Sequence, residues 1–246
     1  MAEEAAQALD AAEIVLGYKT YLDLIADLVE GKTVVSSGMR KEVERCGAAI
    51  DHAMAGRSVA LVSSGDAGIY GMAGLVLDIC RERGLSVAEC GPGEEQVDLR
   101  LKIIPGIPAF NAAASLVGAP LMHDFAAVSL SDHLTPWEVI EKRLVAASDA
   151  DFVLAIYNPR SKTRPDLLEK ARQILLRARS KDTPAAVVRK AMRDGQWKCV
   201  TTLDLLPVDE VDMQSIVIVG NSRTYIWKGW MVTPRGYLDK YALEDA

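Results

Sequence analysis

Asp66 lies in a glycine-rich segment, Ser63-Ser-Gly-Asp-Ala-Gly-Ile-Tyr-Gly-Met-Ala-Gly74, directly after the apolar run of residues 59–62. An apolar β-type run that stops abruptly, a turn with recurrent glycine, and then helical spacing (Leu75, Val76, Ile79) is the pattern of a strand, a tight turn and a helix. Glycine lets the backbone approach a ligand closely, and Asp66 sets one fixed carboxylate beside it. The same segment also fits an ordinary βα turn in which glycine serves geometry alone. Ile104-Pro-Gly-Ile-Pro-Ala109 repeats the theme. Two prolines fix φ, Gly106 permits the turn, and amides at the following helix start can face a polar or anionic group. A plain helix start is the alternative there.

Ser129-Leu-Ser-Asp-His-Leu-Thr-Pro-Trp137 places Asp132 and His133 before a proline-initiated helix. An Asp beside a His invites acid/base chemistry, although adjacent residues rarely face each other. Solvation, with Thr135 as N-cap, accounts for the same residues. In Tyr157-Asn-Pro-Arg-Ser-Lys-Thr-Arg164, the cations Arg160, Lys162 and Arg164 concentrate on one loop after a strand. That suits a carboxylate-rich or phosphate-bearing ligand, with Arg offering bidentate geometry; a solvated loop is the plain alternative. Arg40 and Lys41, after residues 33–35, repeat the pattern. Val219-Gly220-Asn221-Ser222 closes another apolar strand with glycine. No Ser-His-Asp or Cys-His arrangement stands out, and no phosphate loop. The four cysteines and three histidines have no metal-ligand spacing, so no metal site is expected and the thiols fit a reducing compartment.

These turns need elements to hold them. Apolar runs at 13–16, 33–35, 59–62 and 86–88 read as strands, and residues 21–28, 40–54 and the Leu75 segment as helices. The alternation predicts a largely parallel sheet with helices on both faces. A small-residue helix follows at 109–116, and Gly118-Ala-Pro-Leu-Met-His-Asp124 reads as a linker. Beyond it, strands at 126–129 and 152–156 alternate with helices at 137–147 and 167–178. Three strand-like runs, 185–188, 199–203 and 215–219, then follow with less helix between them. Strands without crossover helices point to a mixed or antiparallel sheet. The expected organisation is an α/β fold of two domains: 1–117 with a parallel sheet, and 118–246 with a mixed one.

The composition suits such a fold. Half of the residues are apolar, a quarter are charged, and the net charge of −6 argues against a general nucleic-acid or membrane-surface binder. No apolar run approaches the roughly 20 residues that span a bilayer. The acidic, Ala-rich start is unlike a signal peptide, so a cytoplasmic location is expected.

Taken in order, five segments resemble the tetrapyrrole methylase family over nearly the whole chain. They are Gly17-Tyr-Lys-Thr-Tyr21, the 63–73 segment, Pro105-Gly-Ile-Pro-Ala109, Ser129-Leu-Ser-Asp132 with Leu134-Thr-Pro-Trp137, and Tyr157-Asn-Pro-Arg160. The last two are similar to the branch that methylates C17 of precorrin-3B and contracts the macrocycle to precorrin-4 in cobalamin biosynthesis. The resemblance implies a homodimer of two-domain subunits, with S-adenosylmethionine in the cleft between the domains. It implies precorrin-3B or cobalt-precorrin-3 as substrate. The cofactor residues it implies are Gly65, Asp66, Ile69, Pro108, Ala109, Asn158, Ala186 and Gly220. Ring contraction needs proton transfers, for which Asp132 and then His133 are candidates. Precorrins carry many carboxylates, so Arg40, Lys41, Arg160, Lys162 and Arg164 become substrate clamps. A sibling reaction at another ring position, or a truncated relative that only binds, are the competing readings. Family members begin with a strand and a Gly-x-Gly-Pro-Gly-type turn before the helix equivalent to residues 3–12. This sequence begins inside that helix, which implies a start set too late.

Overall fold

The computed structural model describes residues 1–91 and 96–241. The chain divides into two compact units, Met1–Pro108 and Ala109–Ala246. In the first unit the order is α1 (Glu3–Ala11), β1 (Ile14–Tyr18), α2 (Lys19–Asp23), β2 (Thr33–Ser37), α3 (Glu42–Met54), β3 (Val59–Val62), α4 (Ala73–Glu82), β4 (Val87–Glu89) and β5 (Leu99–Leu101). β1 lies between β2 and β3, parallel to both, with Leu16 opposite Val35 and Leu61. Its side chains alternate between faces, as the pleat requires. Val15 packs with Leu9, Leu22 and Val29, whereas Ile14 and Leu16 pack with Ala49. The strand is therefore covered on both faces, as its uninterrupted apolar sequence predicts.

Two local readings shift. The 21–28 segment is not one helix: α2 ends early and a 3-10 turn forms at Ala26–Leu28, because Ile25 leaves the helical region at φ −126°, ψ 20°. β4 and β5 pair with each other in parallel as a separate two-stranded sheet. α3 and α4 join that sheet to the rest through Cys46, Ile50, Val76, Cys80 and Leu99.

The second unit contains α5 (Ala109–Val117), β6 (Gly118–Ala119), β7 (Phe125–Ser129), α6 (Trp137–Asp149), β8 (Val153–Tyr157), α7 (Leu167–Leu175), β9 (Pro184–Arg189), β10 (Trp197–Thr202), β11 (Ser215–Val219), β12 (Tyr225–Trp227), β13 (Trp230–Val232) and α8 (Tyr237–Lys240). The main sheet has the order β10-β9-β11-β8-β7. β7 and β8 are parallel, and β11 is antiparallel to both β8 and β9, which makes the mixed sheet expected here. One face packs on α6 and α7 through Ile140, Leu144, Leu168 and Leu175. α5 covers the other face through Ala113, Ala114 and Val117, against Val153, Ala186 and Ile218. That burial assigns α5 to the second unit, so the division falls at 108/109 rather than 117/118. Residues 118–119 are strand, not linker: β6 pairs with β13. Gly118 has φ +137°, and a Cβ there would lie 2.5 Å from Met231 O, so the ladder requires glycine. Among the described residues, no helix is long and apolar enough to cross a membrane.

Candidate active site

In the first unit, the order β2-β1-β3 means the chain leaves β1 toward one neighbour and returns to the other. Open α/β sheets bind ligands at the carboxyl end of such a reversal. Here that end carries the loop of residues 37–41 after β2 and the glycine-rich turn after β3.

The turn is built around Asp66. Its Oδ1 accepts from the Gly68 amide at 2.8 Å, and its Oδ2 from the Gly106 amide at 2.9 Å. Those two amides hold the carboxyl below the ordinary range, so it is ionised. Asp66 thus ties the 63–72 turn to the 104–108 turn instead of projecting freely. The two backbones meet so closely that a Cβ on Gly106 would lie 1.9 Å from Gly65 O. Gly65 (φ 77°) and Tyr70 (φ 53°) take left-handed conformations, the latter a cost of about 1 kcal/mol or more for a non-glycine residue. Gly65 is exposed, while Asp66, Ile69 and Pro108 are half-buried. Gly65, Asp66, Ile69 and Pro108 are therefore brought together.

The loop after β2 carries Arg40, with φ 65°, and Lys41, which pairs with Glu44 on α3. The residue that fixes this loop went unnoticed in the sequence: Arg45, 5% exposed, donates to Ser37 Oγ at 2.6 Å and to Gly38 O at 2.9 Å. Its place beside buried Cys46 and one turn before buried Ala49 on α3 was the available signal.

In the second unit, the parallel pair β7–β8 brings the ends of two motifs together. Asn158 Nδ2 donates to Ser129 Oγ at 2.9 Å, with Asn158 at φ 50°. Arg164 Nη1 donates to Asp132 Oδ1 at 2.7 Å and to Ser131 Oγ at 3.2 Å. The guanidinium keeps the Asp132 carboxyl below its usual range. Asp132 is therefore an anion paired with a cation, not a stored proton, and Arg164 is engaged before any ligand arrives. His133 is exposed and points to no partner among the described residues. Arg160 donates to Val208 O at 2.8 Å and to Asp209 Oδ1 at 3.0 Å, while Lys162 is exposed on the same loop.

Two residues expected at the cofactor, Ala186 and Gly220, are buried in this structure. Ala186, mid-β9, is fully buried in the layer beneath α5, because the sheet face it occupies is covered. Gly220 is buried too: its carbonyl accepts from Arg179 and a Cβ would lie 2.5 Å from Thr224 Cβ. Ala109 begins α5, half-buried. Arg179 itself was missed. It is buried four residues beyond the end of α7 and bonds to Ser148 Oγ and to the carbonyls of Phe152 and Gly220.

Comparison with known proteins gives this geometry a context. The family model described as "Tetrapyrrole (Corrin/Porphyrin) Methylases" matches residues 1–207. A protein of Salmonella typhimurium named "Probable cobalt-factor III C(17)-methyltransferase" is 52% identical over 96% of this chain and 93% of its own length. The "Precorrin-3B C(17)-methyltransferase" of Sinorhizobium sp is 39% identical over 92% of this chain and 85% of its own. Among solved structures, that of the methyltransferase CobJ superposes with a TM-score of 0.86 at 35% identity, covering 95% of this chain and 93% of that one.

Proposed function

This chain belongs to the tetrapyrrole (corrin/porphyrin) methylase family, and we propose that it methylates C17 of precorrin-3B, or of the cobalt-bearing counterpart, with contraction of the macrocycle. The methyl donor in this reading is S-adenosylmethionine. The observation that carries it is the identity shared along nearly the whole length with proteins named for C17 methylation. A homodimer in the cytoplasm belongs to the same reading.

The first unit's residues fit that donor. Around Gly65 and Gly106 the chain offers backbone groups and small side chains, and the Asp66 carboxylate is already occupied by two amides. A nucleoside that carries an amino-acid group and many polar atoms is suited to backbone donors and acceptors, which need no reorganisation on binding. Gly65, Ile69 and Pro108 would hold it, with Asp66 fixing the turn. S-adenosylmethionine supplies an activated sulfonium methyl, so the protein's main task is alignment.

The remaining residues position the ring. Arg40 and Lys41 of the first unit, and Arg160 and Lys162 of the second, are the cations this reading assigns to a substrate rich in carboxylates. Asp132, anionic beside Arg164, serves as a proton acceptor or as an orienting charge, not as a donor at neutral pH. Calorimetric titration with S-adenosylhomocysteine, followed by methyl transfer to precorrin-3B and to cobalt-factor III, tests the reading. Binding with turnover on either substrate supports it; binding without turnover on both overturns the C17 assignment.

A further inference from the structure

Among the described residues, Arg45 is a buried cation with no ion-pair partner. The acids nearest to it in sequence are engaged elsewhere: Glu44 pairs with Lys41, and Glu42 accepts from the Arg40 amide. The guanidinium spends its donors on Ser37 Oγ, on Gly38 O and, at 3.3 Å, on Met72 Sδ. Burying a charge without a counter-charge is costly, and packing alone would be served at this position by methionine or leucine. What Arg45 obtains instead is a connection. Ser37 and Gly38 open the loop after β2, and Met72 closes the glycine-rich turn after β3. Both leave the same end of a parallel sheet. The loop it holds contains Arg40 at φ 65°, a conformation that persists in a non-glycine residue only where its surroundings enforce it.

We propose that Arg45 is a positioning residue for a carboxylate-bearing substrate: it staples the 37–41 loop to Met72, so that Arg40 and Lys41 stand as a preformed cationic clamp. The proposal rests on the reading of Arg40 and Lys41 as substrate clamps. Preorganisation is its physical content. A clamp already ordered loses less conformational freedom on binding than a mobile one. The Lys41–Glu44 pair is exposed on both sides and therefore weak enough to yield to a substrate carboxylate.

Kinetics of methyl transfer to the tetrapyrrole in Arg45→Met, Arg45→Lys, Ser37→Ala and Arg40→Ala test it. Arg45→Met removes the buried charge while filling the space. The expected result is a KM for the tetrapyrrole raised about tenfold, with kcat and S-adenosylhomocysteine affinity within about twofold. Arg45→Lys keeps the charge but not the fork, and should raise KM similarly. Ser37→Ala removes one bond and should raise it about threefold; it carries the test if the Arg45 variants do not fold. In an Arg40→Ala background, Arg45→Met should add little, because it acts through Arg40. An unchanged KM in Arg45→Met or in Ser37→Ala, or a loss of cofactor affinity equal to the loss of substrate affinity, overturns the positioning role. If Arg40→Ala leaves KM untouched, the clamp reading fails first. If Arg40→Ala raises KM while the Arg45 and Ser37 variants do not, only the positioning role fails.

Discussion

Replacing Asp66 by alanine removes the acceptor shared by the Gly68 and Gly106 amides. A hydrogen bond to a charged group contributes about 1.5–3 kcal/mol when well buried. Both bonds here are open to solvent, which brings each down to about 1 kcal/mol. The 63–72 turn keeps other restraints, among them Ala73 N to Ala67 O at 3.0 Å and Arg45 Nη1 to Met72 Sδ at 3.3 Å, so it loosens without melting. About 2 kcal/mol of restraint is thus lost. If it must be restored on binding, the dissociation constant for S-adenosylhomocysteine rises by up to about 30-fold. Calorimetric titration at pH 7 reads this directly, and a thermal melt reports the cost to folding, up to about 4–8 °C for a chain of this size. Because the folded-state pKa of Asp66 is depressed, its contribution is full above the unfolded value, near 3.9, and is lost as pH falls through the folded value. Cofactor affinity should therefore show no Asp66 titration between pH 5 and 8. An Asp66→Ala protein that binds within twofold of the parent and melts at the same temperature would refute the reasoning.

Arg179→Met leaves the carbonyls of Phe152 and Gly220 without their donor, at about 1–3 kcal/mol each. A melt should fall by about 4–24 °C, and an unchanged melt would show those carbonyls find other donors. Asp132 stays ionised above the acid range because of Arg164, so the pH profile of kcat/KM should show no Asp132 break between pH 5 and 8. If Asp132→Asn abolishes an acid-limb break in that window, the pairing does not govern the group. Arg160→Ala should raise the tetrapyrrole KM by about three- to tenfold; an unaltered substrate affinity would remove Arg160 from the clamp.

What the sequence disclosed about the fold followed from periodicity. β1 reads as an apolar run because both its faces are covered, and the strongly periodic α7 reads as a helix because one face meets a sheet. The positions of the turns were legible for the same reason, since a strand that ends at Val62 or Tyr157 leaves its loop where the apolar pattern stops. Allegiance between elements was not legible. The small residues of α5 would suit either unit, and only the match of Ala113 and Ala114 to a sheet face decides it. The β12–β13 hairpin has exposed aromatic residues and turns at Lys228 and Gly229, both at positive φ. It lacks the buried alternation that marks a strand.

Charge in the candidate site was visible as residue type but not as pairing. Arg160, Lys162 and Arg164 look equivalent in a line of sequence. Topology separates them: parallel pairing of β7 with β8 sets Asp132 against Arg164, while the 3-10 turn at Val208–Glu210 brings Asp209 to Arg160. Exposure then ranks the pairs. Asp209 is 98% exposed and gives up Arg160 to water or to a ligand at little cost, whereas Asp132 is 35% exposed and holds Arg164 more firmly. Lys162, exposed on the loop, has no ion-pair partner among the described residues to exchange. A loop that appears as three interchangeable cations therefore folds into one structural arginine, one exchangeable arginine and one open lysine. The same logic applies in the first unit, where buried Arg45 supports the loop and exposed Arg40 is left to meet the substrate.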